Sequence, residues 1–343
     1  MSTIKDVARA CGLSAATVSY VINDGPRSVR PETRERVLQA IRELNYFPSA
    51  VARGLQGRRM NTLGVVLPRE IASPLSNPYY APVLDGIMNA AMRGKQSTTI
   101  FTGHLWSDAQ YSLPVYCDGR CDGLLLLTPP TQCDILSALT RRGVPFVIID
   151  DLRGEVEASS VEIDNVAGAY ALIQHLLEQG HRRIAMFQGA SSFRCVAQRT
   201  RGYREALAAW GIAYDETLVF PGEYSAESGY ENARLLLQQP AWLRPTAIFG
   251  CNDLIALGVL CALREAGVRV PQEMSVVGFD DVAPAAISQP PLTTIHQPLH
   301  RLGETAIEML LAQIEGEAAP GEHRLLPTEL ITRGSVAPPP NNA

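Results

Sequence analysis

Three hydroxyl side chains lie within six residues near the N terminus: Ser14, Thr17 and Ser19. Hydroxyl groups donate hydrogen bonds to phosphate oxygens, and such contacts position a protein on DNA without reading the base sequence. The remaining residues that we expect on the same outer helix face are small or polar: Ala15, Ala16, Tyr20 and Asn23. We expect Ala15, Ala16 and Tyr20 to face base edges in a major groove. The segment therefore predicts a DNA-reading surface.

Short helices must position these side chains. Thr3, which we also assign to the DNA contacts, is expected to cap the first helix, and Gly12 to end it. Ser14 caps the second helix, and a third begins at Pro31. Apolar residues at three- or four-residue spacing predict their shared core: Ile4, Val7, Ala8, Val18, Val21, Ile22, Val37, Leu38, Ile41 and Leu44. Two helices joined by a glycine-containing turn indicate a helix-turn-helix, although any small helical bundle has this periodicity.

Charge is distributed unevenly along the chain. The formal net charge of the 343 residues is −5, but residues 1–60 contain ten Lys or Arg against five Asp or Glu. The rest of the chain contains 20 basic and 30 acidic residues. The attraction for phosphates therefore lies at the N-terminal end.

The sequence lacks the motifs of several common enzyme classes. It contains no G-x-G-x-x-G, no P-loop, no H-E-x-x-H and no G-x-S-x-G. The six histidines are scattered, and Cys117 and Cys121 form a lone C-x3-C without a second pair. The odd number of cysteines, seven, argues against a disulfide framework. We therefore expect no enzyme, no cofactor and no metal.

From Leu63 onward, apolar runs alternate with amphipathic stretches, which predicts parallel sheets with crossover helices. A first set of strands is predicted in TLGVVLP, STTIFTG, CDGLLLLTP and VPFVIIDD, and a second in HRRIAMFQG, TLVFPG, TAIFGCND and SVVGFDD. Helices are predicted between them, for example over 80–92, 167–179 and 201–210. Two such lobes in tandem predict a bilobed α/β fold that binds its ligand between the lobes, at the carboxyl ends of the strands.

The head closely resembles the lactose-repressor (LacI/GalR) family of bacterial regulators in the runs IKDVARACGLSAATVSYVIN and PETRERVLQAIRELNYFPSAVARGL. This resemblance implies that residues 49–56 form a hinge helix on operator DNA. Leu55 would then wedge into the minor groove, with Ala52 and Arg53 near the groove and the partner hinge. An ordinary exposed linker is the alternative. Tyr20 replaces the arginine usual in the family, which leaves the operator sequence open.

The body is similar to the same family, and the run PLTTIHQPLHRLGETAIEMLLAQI is similar to its purine repressors. The resemblance implies effector contacts at eight positions: Tyr79, Tyr80, Asp150, Arg199, Tyr224, Asn252, Asp280 and Gln297. Trp106 is added as a further aromatic residue that could stack on a sugar. Alternatively, Asn252 and Asp280 end strands or cap helices, and the tyrosines belong to the core.

The chemistry of this set favours a sugar. A guanidinium offers a fork of donors, carboxylates accept, and an amide does both, which matches vicinal hydroxyl groups. Phe193 and Cys195 stand where the purine repressors have an arginine and a threonine for the base. A nucleobase-responsive regulator is the alternative. A periplasmic transport receptor of the same fold is disfavoured, because the sequence begins with a basic head and without an apolar signal segment.

We therefore expect an all-α helix-turn-helix head followed by a bilobed, periplasmic-binding-protein-like α/β body. The predicted boundaries are 1–47 for the head, 48–60 for the hinge, 61–163 and 293–325 for the first lobe, 164–292 and 326–333 for the second, and 334–343 for a disordered tail. No apolar run approaches the ~20 residues that span a membrane, so we expect a cytoplasmic protein with no membrane partner. The expected partners are double-stranded operator DNA, a small effector and a second copy of the chain in a homodimer.

Overall fold

The computed structural model describes residues 2–22, 29–47, 59–68, 76–101, 106, 108–131, 133–150 and 158–340. The chain divides into two compact units, Met1–Met60 and Asn61–Ala343. Four residues to which we assign DNA contacts lie outside the described residues: Asn23, Ala52, Arg53 and Leu55. Their roles remain predictions.

The N-terminal unit contains helices α1 (Ile4–Cys11), α2 (Ala15–Ile22) and α3 (Pro31–Glu43). Thr3 caps α1 through a reciprocal pair of bonds with Asp6, whose carboxylate accepts from the Thr3 backbone N–H at 2.9 Å. Gly12 ends α1 in the left-handed region at φ 60°, a conformation that glycine adopts without strain. Ser14 accepts from the Thr17 backbone N–H at 3.1 Å and so caps α2.

The three helices enclose a small core built around Val7, Val18, Val21 and Val37. Two expectations differ from the structure. Ala15 packs partly against this core, because it lies three residues before Val18 and thus on the buried face of α2. Leu38 is 40% exposed, because Val37 and Ala40 take the inward face of α3.

The body follows the predicted alternation of strands and helices. Its strands are β1 (Thr62–Val66), β2 (Ser97–Phe101), β3 (Gly123–Leu127), β4 (Phe146–Ile149), β5 (Ser159–Ile163), β6 (Ile184–Phe187), β7 (Val219–Phe220), β8 (Ala247–Gly250), β9 (Ser275–Val277), β10 (Thr294–His296), β11 (His323–Leu326) and β12 (Glu329–Ile331). Its helices are α4 (Tyr80–Arg93), α5 (Ala109–Tyr116), α6 (Asp134–Arg141), α7 (Asn165–Glu178), α8 (Arg194–Ala209), α9 (Ala226–Leu237), α10 (Asp253–Glu265), α11 (Ala283–Ile287) and α12 (Leu299–Glu315). In the described part of the chain, no helix combines the length and apolarity that crossing a bilayer requires.

Each lobe is built on its own parallel sheet. The first sheet has the order β11-β5-β4-β3-β1-β2, and the second has the order β7-β6-β8-β9. Helices α4 and α12 lie beside the first sheet and pack closely against each other. Gly86 on α4 allows this close approach, because a Cβ at that position would lie 2.0 Å from the carbonyl oxygen of His300 on α12. Strands β3, β4, β5, β6, β8 and β9 are buried throughout, as expected for parallel sheets covered by helices, whereas the edge strands β2, β7 and β11 are partly exposed.

Two boundaries differ from the sequence-based expectation. Residues 293–296 were expected in the first lobe, but β10 forms bridges with the second lobe at Val277↔Thr293 and Asp280↔His296 and pairs antiparallel with β12. The segment from residue 334 was expected to be disordered. Ser335 is instead fully buried, and its hydroxyl accepts from the Thr293 backbone N–H at 2.8 Å. Its partners are backbone groups of the second lobe, which the sequence pattern does not reveal.

Candidate effector cleft and DNA-binding head

A cleft lies where the carboxyl ends of strands from both lobes meet, and its space, together with the solvent at its opening, is about 590 Å³. Thr128, Asp150 and Asn252 line it, and they follow β3, β4 and β8 within two residues. This is the place where open α/β sheets bind ligands. Eight of the nine predicted effector residues line the cleft: Tyr79, Tyr80, Asp150, Arg199, Tyr224, Asn252, Asp280 and Gln297. Their binding of an effector remains a prediction.

Arg199 on α8 anchors the second-lobe side of the cleft. Its Nε donates to Asn165 Oδ1 at 2.8 Å, and its Nη1 donates to the backbone carbonyl of Cys251. The guanidinium also stacks on Phe279, with 3.8 Å between its carbon and the ring centroid. The side chain is 5% exposed. Helix α8 begins at Arg194, well before the predicted start at 201, and this longer first part carries Arg199 into the cleft.

A hydrogen-bonded carboxyl–amide pair faces Arg199. Gln297 Nε2 donates to Asp280 Oδ1 at 2.5 Å, and that carboxylate oxygen lies 3.7 Å from Arg199 Nη1. Burial raises the pKa of Asp280 well above its usual range, while Arg199 opposes the rise. Behind the pair, Asp253 is fully buried and accepts from the Val282 backbone N–H at 2.9 Å. This contact fixes the turn that carries Asp280.

Aromatic rings form walls on both lobes. Tyr79 and Tyr80 meet edge to face with centroids 5.1 Å apart, and Tyr80 is hydrogen-bonded to Thr128 at 2.8 Å. On the second lobe, the rings of Phe193 and Tyr224 are 5.9 Å apart. Rings of this kind can stack on the apolar face of a sugar or on a planar base.

A thiol and a glycine complete the second-lobe wall. The Tyr224 hydroxyl lies 3.1 Å from Cys195 Sγ. Burial raises the pKa of the Cys195 thiol to about 11, so it is a neutral group at pH 7. Gly189 is required beside Tyr224, because a Cβ there would lie 2.4 Å from the ring.

Three lining residues have left-handed backbone conformations although none is glycine. The φ angles are 44° at Thr128, 103° at Asp150 and 125° at Asp280. Such conformations cost of the order of 1–3 kcal/mol each and concentrate at functional sites. Their coincidence in one cleft supports its assignment as a binding site.

Trp106 is the exception among the predicted effector residues. It is 1% exposed and belongs to a core cluster of the first lobe with Phe101, Leu113 and Tyr116. In the described part of the chain, its indole N–H has no hydrogen-bond partner. Its large apolar surface is buried by this cluster, so the prediction that it lines the cleft is wrong.

Four polar residues of the cleft were not predicted from the sequence: Asn77, Thr128, Glu162 and Asn165. Thr128 follows β3 directly and could have been found from the expectation that the ligand lies at the carboxyl ends of the strands. Glu162 and Asn165 lie in and just after β5, whose sequence SSVEI is too polar to predict a buried strand. Gln198 Nε2 donates to Glu162 Oε2 at 3.3 Å, which joins the two lobes beside the cleft.

The head presents the predicted hydroxyls on α2 and its cap. The Ser14 hydroxyl, which caps α2, lies 2.9 Å from the Thr17 hydroxyl, so the two side chains form a local hydrogen bond at the start of the helix. Ala16 is exposed, whereas Ser19 and Tyr20 are partly buried. The DNA contacts of Thr3, Ser14, Ala15, Ala16, Thr17, Ser19 and Tyr20 remain predictions.

Comparison with known proteins supports this architecture. The family profile for bacterial regulatory proteins of the lacI family matches residues 3–49, and that for the periplasmic binding protein-like domain matches residues 173–336. The chain is 37% identical over 343 residues to the HTH-type transcriptional repressor PurR of Erwinia tasmaniensis, covering 99% of this chain and 98% of that protein. It is 36% identical over 346 residues to PurR of Escherichia coli, with the same coverage.

Solved structures give the same result. The transcriptional regulator CelR–cellobiose complex aligns with a TM-score of 0.75 at 35% identity, covering 98% of this chain and all of that chain. The lac repressor dimer bound to operator and the anti-inducer ONPF aligns with a TM-score of 0.86 at 29% identity, covering 98% and 99%. The chain therefore belongs to the LacI family of bacterial regulatory proteins and is a DNA-binding transcriptional repressor with a helix-turn-helix head and a bilobed α/β body.

Proposed function

We propose that this protein binds a near-palindromic operator as a homodimer and that a small polar metabolite, in the first instance a sugar, switches its DNA binding from the cleft between the lobes. The observation that carries the proposal is the convergence of Arg199, Asp150, Asn252 and Asp280 with tyrosine rings in a single cleft. Forked donors, acceptors and an amide beside aromatic walls suit a ring bearing vicinal hydroxyls. We propose no catalytic activity, and a cytoplasmic location follows from the role at the operator.

A nucleobase effector is the second candidate, because the relatives at 36–37% identity are named HTH-type transcriptional repressor PurR. Phe193 and Cys195 argue against it. Both line the cleft, and one supplies a ring and the other a weakly polar thiol where a base needs strong hydrogen-bonding partners. The likeness to a regulator solved with cellobiose favours the sugar.

The switch requires that the effector bind the two states of the repressor differently. The cleft residues come from both lobes, with Tyr80 and Asp150 on the first and Arg199 and Tyr224 on the second. A ligand that contacts both sets favours the closed arrangement of the lobes. Closure would change the spacing of the two heads in a dimer and so its affinity for the operator.

A thermal-shift screen tests the proposal, because a ligand that binds the folded state raises the melting temperature by mass action. The panel contains cellobiose, glucose and ribose, with hypoxanthine and guanine as the competing class. We expect at least one sugar to raise the melting temperature of the wild type and to change operator affinity in a gel-shift assay. Stabilisation by a nucleobase alone would replace the sugar with the second candidate. Stabilisation without any change in operator affinity would refute the switch.

A further inference from the structure

We infer that the effector carries no phosphate or carboxylate group, so that the cleft accepts the uncharged form of a metabolite and rejects its phosphorylated form. This inference rests on the proposed function and limits the possible effectors to molecules without these negatively charged groups. Three carboxyl side chains line the cleft, Asp150, Glu162 and Asp280. Arg199 is the one lysine or arginine among the described residues that line it.

The guanidinium of Arg199 is already engaged by the protein. It donates to Asn165 and to the carbonyl of Cys251, stacks on Phe279, and lies 3.7 Å from the Asp280 carboxylate. An anionic ligand would have to share this cation with partners that are themselves buried. Sites built for phosphate instead present several free N–H donors or a free cation.

The carboxyl groups of Asp150 and Glu162 oppose an anion from the first lobe, and Asp280 on the second lobe competes with it for Arg199. Glu162, at the end of β5, is 4% exposed, and Asp280, after β9, is also 4% exposed. Asp150 is held at the end of β4 in a left-handed backbone conformation with φ 103°. A phosphate monoester carries between one and two negative charges at pH 7, and charges in a partly buried cleft are weakly screened. The same carboxylates are good acceptors for neutral hydroxyl or N–H groups.

Matched pairs of ligands test the inference by isothermal titration calorimetry and thermal shift: glucose with glucose 6-phosphate, ribose with ribose 5-phosphate, and inosine with inosine 5′-monophosphate. We expect the phosphorylated member of any pair that binds to be weaker by about 100-fold. Equal or tighter binding of a phosphorylated member overturns the inference. Failure of every sugar and nucleobase to bind would count against the proposed function and would leave the next experiment to decide this inference.

Inorganic phosphate provides a test that does not depend on knowing the effector. At constant ionic strength, we expect phosphate to give no saturable rise in the melting temperature of the wild type. The double variant Asp150→Asn/Glu162→Gln should gain a saturable rise, with at least tenfold tighter phosphate binding. Asparagine tolerates the positive φ at residue 150, and glutamine keeps the carbonyl oxygen that accepts from Gln198.

The control variant is Glu205→Gln/Glu231→Gln, which makes the same change in net charge on the exposed faces of α8 and α9. It should behave as the wild type. Saturable stabilisation of the wild type by phosphate that Arg199→Met abolishes overturns the inference. So does a folded double variant whose response equals that of the control. If the double variant does not fold, the single variant Glu162→Gln takes its place, with Glu205→Gln as its control.

Discussion

Replacing Arg199 by methionine removes the central cation of the cleft and keeps a side chain of similar reach. Two buried acceptors then lose their donor, Asn165 Oδ1 and the carbonyl of Cys251. A buried acceptor left unsatisfied costs about 1–3 kcal/mol. We therefore expect the free energy of unfolding of the body to fall by about 2–6 kcal/mol. Asp280 limits the loss, because burial already raises its pKa and it can remain protonated.

The pH dependence of this loss has a definite sign. Without the guanidinium, only the hydrogen bond from Gln297 still opposes the effect of burial on Asp280, and the pKa of Asp280 in the folded state rises further. A carboxyl group with a raised folded-state pKa destabilises the fold when ionised, and this penalty disappears as the pH falls. The difference in stability between the wild type and Arg199→Met should therefore shrink as the pH falls.

Urea unfolding followed by tryptophan fluorescence measures both effects. The control is Arg201→Met, two residues along the same helix, where the side chain is 66% exposed and pairs with Glu205 at 3.1 Å. An exposed pair contributes only about 0–1 kcal/mol, so this variant should be close to the wild type. Equal stability of Arg199→Met and Arg201→Met would refute the argument. Arg199→Met should also retain operator binding and lose its response to the sugar, and a normal response would refute its role in the cleft.

Three further predictions follow from other parts of the chain. Deleting residues 333–343 removes the buried Ser335 and should lower the free energy of unfolding by about 3–6 kcal/mol. The control deletion of residues 341–343 should change the free energy of unfolding little. Equal urea midpoints for the two deletions would contradict this prediction. Burial raises the pKa of Asp253 to about 6. As the pH falls from about 7.5 to about 5, the free energy of unfolding of the wild type should therefore rise by about 1 kcal/mol relative to that of Asp253→Asn. Parallel pH profiles of stability for the two proteins would count against this prediction. Leu55→Ala should weaken binding to the specific operator much more than to random DNA in a gel-shift titration, and equal losses would exclude the wedge.

The resemblance to the LacI/GalR family predicted the individual cleft residues, and most of them agree with the rule that ligands bind at the carboxyl ends of strands, which depends on topology and not on packing detail. Asp150, Asn252 and Asp280 follow strands whose apolar runs are visible in the sequence, and parallel strands bring their carboxyl ends to one edge. Glu162 and Asn165 were not predicted as cleft residues, because β5 is buried although its sequence is polar. Its neighbours β4 and β11 supply the hydrogen bonds that make this burial acceptable.

Burial of individual side chains was less predictable than the elements that carry them. Ala15 lies on the core side of α2 and Leu38 on the exposed side of α3, although both helices were predicted correctly. Helical periodicity allows neighbouring positions to share a face, and the packing partner decides which of them is covered. Trp106 was assigned to the cleft by its type, whereas its apolar area is satisfied by the first-lobe core.

The basic head and the order of the predicted strands and helices could be read from the sequence, because they depend on local periodicity and on charge along the chain. The polar residues of the cleft were predicted from the family resemblance. The folded structure was needed to show that Arg199 is held by Asn165 and Cys251 and that β10 belongs with the second lobe. It also shows that Ser335 is hydrogen-bonded to the backbone of the second lobe. These are contacts between residues far apart in the chain. They form because buried donors and acceptors need hydrogen-bonding partners, and the folded body determines which groups are buried near one another. A local sequence pattern does not contain this information.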